Sequence, residues 1–384
     1  MKKSTIITIL AFALGLIILA GGFILFTDNN ISDKLFATTT TTVEPPKPYD
    51  PIDFFDVDIN QYVTLGQYKN LTVKVDSTVV SEEYVQEQID NMLISNEKIE
   101  EVKTGIIEED VLFSFDYKGY HNGVAFDKGE AKDTWAYISD GVFYLYSGTI
   151  FIDGFAQGII NHNVGETFQI EARFPDYYPN NTDLAGQVAV FDITINYIVK
   201  AQKLTDELVN ELTQGIYKTV GDFHTYAVDF FKEELKSNNE NTALMQAISN
   251  SKFNIPAEEK TYYYDSIYAE IETYASMYQM TPEMFLQYGG GEYLLSMSIY
   301  SLAQLESYIE NYLKENIFII AIIEAEGLEV TQEEYDLFLE SLVEQLGATK
   351  EEIVAEYTEE YIKQIILSDE AYAIIWDTAE YVTE

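Results

Sequence analysis

Hydrophobic and polar positions divide the chain into regimes of different period. Thr5 to Phe26 (TIITILAFALGLIILAGGFILF) holds no charged residue. At ~1.5 Å per residue such a helix is roughly 33 Å long, enough to cross a bilayer. Thr27 to Gln61 shows no sustained period. Its Thr run (Thr38 to Thr42) and Pro45, Pro46, Pro48 and Pro51 predict an extended, semi-rigid spacer. Alternation begins at Leu71-Thr72-Val73-Lys74-Val75, a predicted strand. Ser81 then caps a predicted helix, with Val80 and Val85 spaced as a hydrophobic staple. Val85, Ile89, Met92 and Leu93 lie on one face of that helix.

From Glu109 the period is that of strands. Val111 to Gly119 reads as one, Asn122-Gly123 as a hairpin turn, and Val124 to Asp127 as the return. A charged, irregular stretch follows. Then Phe143 to Tyr146 reads as a strand and Phe151 to Phe155 as the start of a short apolar helix. Val164-Gly165-Glu166 turns the chain between this helix and strands at Thr167 to Arg173 and Val188 to Ile198. Four or five antiparallel strands around one short helix predict an α+β domain over residues 109–200.

Beyond Lys203 the period is helical. Thr219-x-x-Asp222, Thr331-x-x-Glu334 and Thr349-x-x-Glu352 have capping-box spacing. Thr281-Pro282-Glu283 offers an N-cap, a proline at the first helical position and an acid on the helix dipole. Pro256 breaks the pattern and Gly327 and Gly347 end helices. Glu292 to Glu326 reads as one helix of roughly 50 Å, an elongated all-α arm. The predicted segments are therefore an anchor (1–26), a tether (27–61), a strand and linker helix (62–108), the α+β domain (109–200) and the helical domain (201–384).

Charge narrows the function. The formal net charge is −43, from 22 Lys+Arg against 65 Asp+Glu. That excludes nucleic acid, whose binding rests on a basic patch, and docking on anionic lipid. There is no cysteine, and His121, His162 and His224 are scattered, so no thiol or His-based metal chemistry is expected, and no cofactor. Lys2 and Lys3 before the apolar run place the N-terminus in the cytoplasm and the remainder outside. A cleaved signal peptide is the rival reading. The run continues past its small residues through Phe23 to Phe26, and Gly22 stands where a lipidated cysteine would be, which favours an uncleaved single-pass anchor in the cell membrane.

The familiar catalytic signatures (H-E-x-x-H, G-x-S-x-G, a phosphate loop) are missing from the sequence. Tyr117-x-Gly119, Gly123 to Asp127, Ser147 to Phe155 and Val164-Gly165-Glu166 resemble the FKBP-type peptidyl-prolyl isomerase domain. Phe174-Pro175-Asp-Tyr-Tyr178, Leu184-Ala185-Gly186 and Val190 to Ile193 narrow the resemblance to the trigger factor family. The Ile255-Pro256 break, Thr281-Pro282-Glu283 and Ala321 to Thr331 are similar to that family's chaperone arm. The resemblance runs from about Tyr62 onward. Where the family carries a basic ribosome-docking domain, this chain has the anchor and tether, so ribosome binding is not expected.

The resemblance implies isomerisation of X–Pro bonds together with chaperone activity on unfolded or nascent secreted polypeptides. Tyr117, Phe126, Phe155 and Phe191 would line the proline pocket, with Phe155 as its floor. Phe151 and Ile152 would form its edge, and the Ile152 N–H would hold the substrate carbonyl. Asp127 would stand beside the rotating bond and Tyr178 on the rim, although an extra residue before Leu184 leaves Tyr177 as its competitor. The segment from Lys132 to Val142 is longer than the family pattern and borders one wall. The chemistry suits the missing acid–base groups. Rotation must break amide conjugation against ~18–20 kcal/mol, and an apolar, water-poor pocket favours the less charge-separated twisted state. Two further readings are a holdase whose isomerase-like domain only binds clients and, more weakly, a surface scaffold. In the arm, Tyr262, Tyr263, Tyr264, Tyr278, Met277, Met280 and Met284 are divided between a client-binding surface and ordinary helix packing.

Overall fold

The computed structural model describes residues 49–383, apart from 179–180 and 296–297. The expected anchor and the tether up to residue 48 lie outside the described residues. Among the described residues no helix is long and apolar enough to cross a membrane. The chain forms two compact units: residues up to Val79 with Glu233–Glu384, and Val80–Lys232. The second unit is thus inserted into the sequence of the first.

Residues 49–79 fold with the helical unit. Phe54 and Ile59 are buried in its core, a 3-10 turn spans Ile59–Gln61, and β1 (Val63–Thr64) and β2 (Thr72–Val75) follow. The last part of the expected tether is therefore structured. Its apolar residues are too few and too irregularly spaced to signal this locally, and they find partners some 200 positions away.

The inserted unit opens with α1 (Glu82–Ser95), capped as expected by the Ser81 hydroxyl accepting from the Tyr84 N–H. Then come β3 (Ile99–Val102), β4 (Phe113–His121), β5 (Val124–Ser139), β6 (Val142–Leu145), α2 (Phe155–Ile159), β7 (Thr167–Arg173) and β8 (Val188–Ala201). The strands join in the order β3-β8-β4-β5-β6, with β7 on the edge of β8 that β3 also uses, and the pairings are antiparallel. Strand β8 is central. Ala189, Phe191, Ile193 and Ile195 alternate into the core, where they meet Phe155 and Ile159 of α2. The charged stretch expected to be irregular is the second half of β5. Ala136 and Ile138 point inward there, while Trp135 and Tyr137 alternate with them. Asp140 and Gly141, both at positive φ, turn this strand into β6. After β8 come α3 (Asp206–Leu212) and the first part of α4 (Val220–Ser249), within which the unit boundary falls.

The helical unit resumes in α4 and continues through β9 (Lys252–Phe253), α5 (Ala257–Met277), α6 (Pro282–Phe285), α7 (Gly291–Leu295), α8 (Leu302–Glu326), α9 (Gln332–Leu346), α10 (Lys350–Tyr357), α11 (Glu359–Thr378) and β10 (Glu380–Thr383). Strand β1 pairs with β9, and β2 pairs in parallel with β10. The caps are those expected: both Thr331/Glu334 and Thr349/Glu352 form complete capping boxes, and Gly327 and Gly347 end their helices at positive φ. The single helix expected from Glu292 to Glu326 is instead two. Ser301 caps α8 by accepting from the Gln304 N–H, the Gln304 side chain accepts from the Tyr300 N–H, and Glu283 accepts from the Leu302 N–H. These polar groups satisfy a fresh helix start that apolar periodicity does not register.

Candidate binding site

The stretch from Tyr144 to Phe155 places one side of the site. Strand β6 ends in a tight turn closed by Leu145 N–H to Thr149 O and Gly148 N–H to Leu145 O, with Gly148 at φ +82°. The chain returns along β6, and the Phe151 N–H donates to Phe143 O at 3.0 Å. Gly154, at φ +106°, then starts α2. A Cβ here would stand 2.7 Å from Glu171 O, so both the backbone conformation and the close approach to β7 require glycine.

This geometry brings Phe151 and Phe155 into edge contact at 4.5 Å between ring centroids. Phe155 is fully buried and also meets Phe191 at 4.9 Å, Phe143 at 5.5 Å and Tyr117 at 6.4 Å. Tyr117, half-buried on β4, lies 5.3 Å from Phe151 and 6.4 Å from Phe191. Phe126 joins through Phe191 at 5.9 Å. Its ring is held between Gly119 and Gly129, where a Cβ on either glycine would collide with it. Five of the expected residues, Tyr117, Phe126, Phe151, Phe155 and Phe191, are thus one connected set of rings at mostly tilted and edge-on angles.

Tyr178 enters through a residue that sequence reasoning missed. Phe174, buried, is 5.8 Å from Phe126 and 4.9 Å from Tyr178. The alternation of Ile170 and Ala172 along β7, continued by Phe174 just beyond its end, was the signal for it. Phe143 was missed as well, and its place opposite Val142 in the alternation of β6 was its signal. Burial pushes the Tyr117 hydroxyl above its usual range, and the neighbouring Tyr178 adds to the shift, so Tyr117 stays a neutral phenol with a proton to donate. Tyr177 is 83% exposed, whereas Tyr178 packs on the cluster.

Ile152 is half-buried against the same cluster, and its N–H donates to no acceptor among the described residues. Asp127 is exposed, one residue beyond Phe126. The segment from Lys132 to Val142 contributes the β5–β6 hairpin, which carries Phe143 into contact with Phe151 and Phe155. The arrangement is a packed aromatic cluster with a backbone donor and a phenol at its edge. Among the described residues no cluster of acids and histidines has the form of a metal site.

In the helical unit the aromatic and Met residues divide. Tyr263, Tyr264 and Met280 pack on a core of Ile267, Ile271, Leu305 and Ile309, whereas Met277, Tyr278 and Met284 are exposed with Tyr288 and Tyr293.

Residues 222–377 match the family model described as the bacterial trigger factor protein C-terminus. Across a longer span the chain is similar to trigger factors of several bacteria. It is 28% identical to that of Bacillus subtilis over 304 residues, covering 77% of this chain and 68% of the relative. It is 27% identical to that of Macrococcus caseolyticus over 305 residues, covering 78% and 68%. For Clostridium kluyveri the figures are 25% over 349 residues, covering 85% and 75%. A solved structure of the trigger factor chaperone, concerned with promiscuous substrate recognition in folding and assembly, aligns over 82% of this chain and 72% of its own at 16% identity and a TM-score of 0.31.

Proposed function

From its likeness to trigger factors we propose that this chain is a protein-folding factor that binds unfolded polypeptides and isomerises their X–Pro bonds in an FKBP-like inserted domain. The observation that carries the reading is the convergence of Tyr117, Phe126, Phe151, Phe155 and Phe191 beside the Ile152 N–H, which has no acceptor among the described residues. A prolyl ring seated on these rings leaves water. The Ile152 N–H then holds the preceding carbonyl while the C–N bond turns, and the twisted amide is favoured by the apolar surroundings. Asp127 is the polar group beside the rotating bond. No step needs a nucleophile or a bound cofactor.

The experiment is the refolding of a client limited by proline isomerisation, a process of tens to hundreds of seconds unaided. Catalysis by the chain that is lost in Asp127→Ala and Tyr117→Phe supports the reading. A wild-type rate no faster than these variants favours the alternative, a non-enzymatic holdase. The exposed Met277, Tyr278, Met284, Tyr288 and Tyr293 support client binding under either reading.

The same proposal sets the protein at the outer face of the cell membrane, held by Thr5 to Phe26, and not at the ribosome. Protease added to intact protoplasts then degrades the folded units. Full protection with the membrane intact contradicts the location.

A further inference from the structure

We propose that residues 49–58 are a built-in occupant of a polypeptide-binding groove on the helical unit, and that the groove exchanges them for an extended client segment carrying apolar anchors and a cationic side chain. This rests on the reading that the chain binds unfolded polypeptides, and it names what kind of segment one of its surfaces selects.

Three observations support it. The first is a polar anchor that its present occupant leaves half-used. Glu259, in the first turn of α5, is fully buried. Its Oε2 accepts from the Tyr49 hydroxyl at 2.7 Å and from the Ile52 N–H at 3.2 Å, a side-chain donor and a main-chain donor of one extended stretch. Its Oε1 is shielded from solvent and has no partner among the described residues. A buried carboxylate oxygen without a donor is costly, and an ammonium or guanidinium group is the donor that best removes that cost.

The second is fit. Phe54 is buried in the groove, yet beside it an open cavity of about 460 Å³ remains between Phe54, Phe55, Asp56, Val57 and Asp58 of the segment and Ile320, Ile323 and Glu324 of α8. The groove is wider than what fills it.

The third is charge. The segment carries Asp50, Asp53, Asp56 and Asp58, and it lies on a surface that presents Glu258, Glu259 and Glu324. The Asn60 side-chain amide bridges Asp58 and Glu324 at 3.2 and 3.3 Å, which offsets one of these like-charge approaches. An acidic occupant on an acidic groove is held by its rings and its N–H despite its charge. A basic segment with the same rings gains on both counts.

Hydrogen exchange on the full chain tests this, with a synthetic peptide of residues 49–63 in which the four aspartates are replaced by lysine as the probe. The Ile52 amide is expected to exchange by local opening, at least about ten-fold faster than the β1 amide of Thr64. The lysine peptide accelerates Ile52 exchange severalfold, and the peptide of native sequence does so less. Glu259→Gln erases the preference for lysine. Phe54→Asp, which removes an apolar anchor of the segment, raises peptide affinity by about ten-fold. Ile52 exchange that tracks global unfolding, or no response to the lysine peptide up to about 1 mM, overturns the proposal. So does a Phe54→Asp chain whose helical unit unfolds, because the segment is then core and not occupant. None of these readouts involves isomerisation, so an inactive inserted domain leaves them unchanged.

Discussion

Phe155 and Asp127 stand at opposite extremes of the candidate site, and substitutions at them read out different things. Phe155 is fully buried among four other rings. Phe155→Ala is expected to cost about 3–5 kcal/mol of stability, so its loss of activity cannot be separated from unfolding. Asp127 is exposed, and Tyr117→Phe keeps every ring contact. Both variants should melt within about 2 °C of wild type, and under the proposed isomerase function kcat/KM for prolyl isomerisation falls about ten-fold or more, a loss of roughly 1.4 kcal/mol in transition-state stabilisation. Unchanged kcat/KM in both would remove them from the site. In the helical unit, Asp369 carries a pH-dependent contribution of its own. Burial, with a smaller contribution from Glu370, pushes the Asp369 carboxyl from 3.8 up to about 7, and its Oδ2 has no hydrogen-bond partner among the described residues. Burial also raises Glu315, which accepts from the Tyr372 hydroxyl at 2.7 Å. An acid raised in the folded state favours folding most when it is protonated in both states. The Asp369 contribution to stability is therefore greatest below about pH 4, falls as pH rises towards 7, and levels off above that, with a total change on the order of 4 kcal/mol at most. Asp369→Asn should raise the urea midpoint of the helical unit at pH 8 and leave it nearly unchanged at pH 4. An Asp369→Asn midpoint equal to that of wild type at pH 8 would contradict the assignment.

Elements whose signals are local were legible in the sequence. The strand from Thr167 to Arg173 runs between the expected residues, and the caps at Ser81, Thr281, Thr331 and Thr349 are formed by the expected hydroxyls. Each depends on neighbours within four residues. What was not legible depends on distant partners. The second half of β5 reads as charged because Asp133 and Lys132 interrupt its alternation. Asp133 sits at φ +51° beside a register shift and is held by the Ser114 and Tyr197 hydroxyls, each at 2.6 Å, across the sheet. The aromatic residues of the site were legible as a set through the family resemblance, while Phe174 and Phe143, which fasten Tyr178 and Phe151 to it, show only in the packing. The start of α8 belongs to the same class as β5, since its cap network draws on Glu283 nearly twenty positions earlier. Ser301→Ala should cost about 1 kcal/mol in the helical unit, measurable as a lower urea midpoint with unchanged slope. No change would mean that Gln304 and Glu283 alone sustain the helix start.

At the scale of the molecule, two units with separate cores predict two calorimetric transitions, and Phe155→Ala should lower one of them alone. A single transition that shifts as a whole would show the units to be one cooperative block. The parallel pairing of β2 with β10 adds a further expectation. Removing residues 380–383 uncovers an edge of β2, whose Val73 and Val75 are core residues, and should lower the other transition. That pairing also sets a timetable. Asn70, beside β2, bonds Thr378, which lies 308 positions later in the chain. At ~5–20 residues per second, synthesis leaves β2 waiting for its partner for roughly 15–60 s. The inserted unit is encoded wholly within that interval, and among the described residues its strands pair with one another. It can be complete while the unit that flanks it is still being made, so the first part of this chain to mature is the one that carries the aromatic cluster.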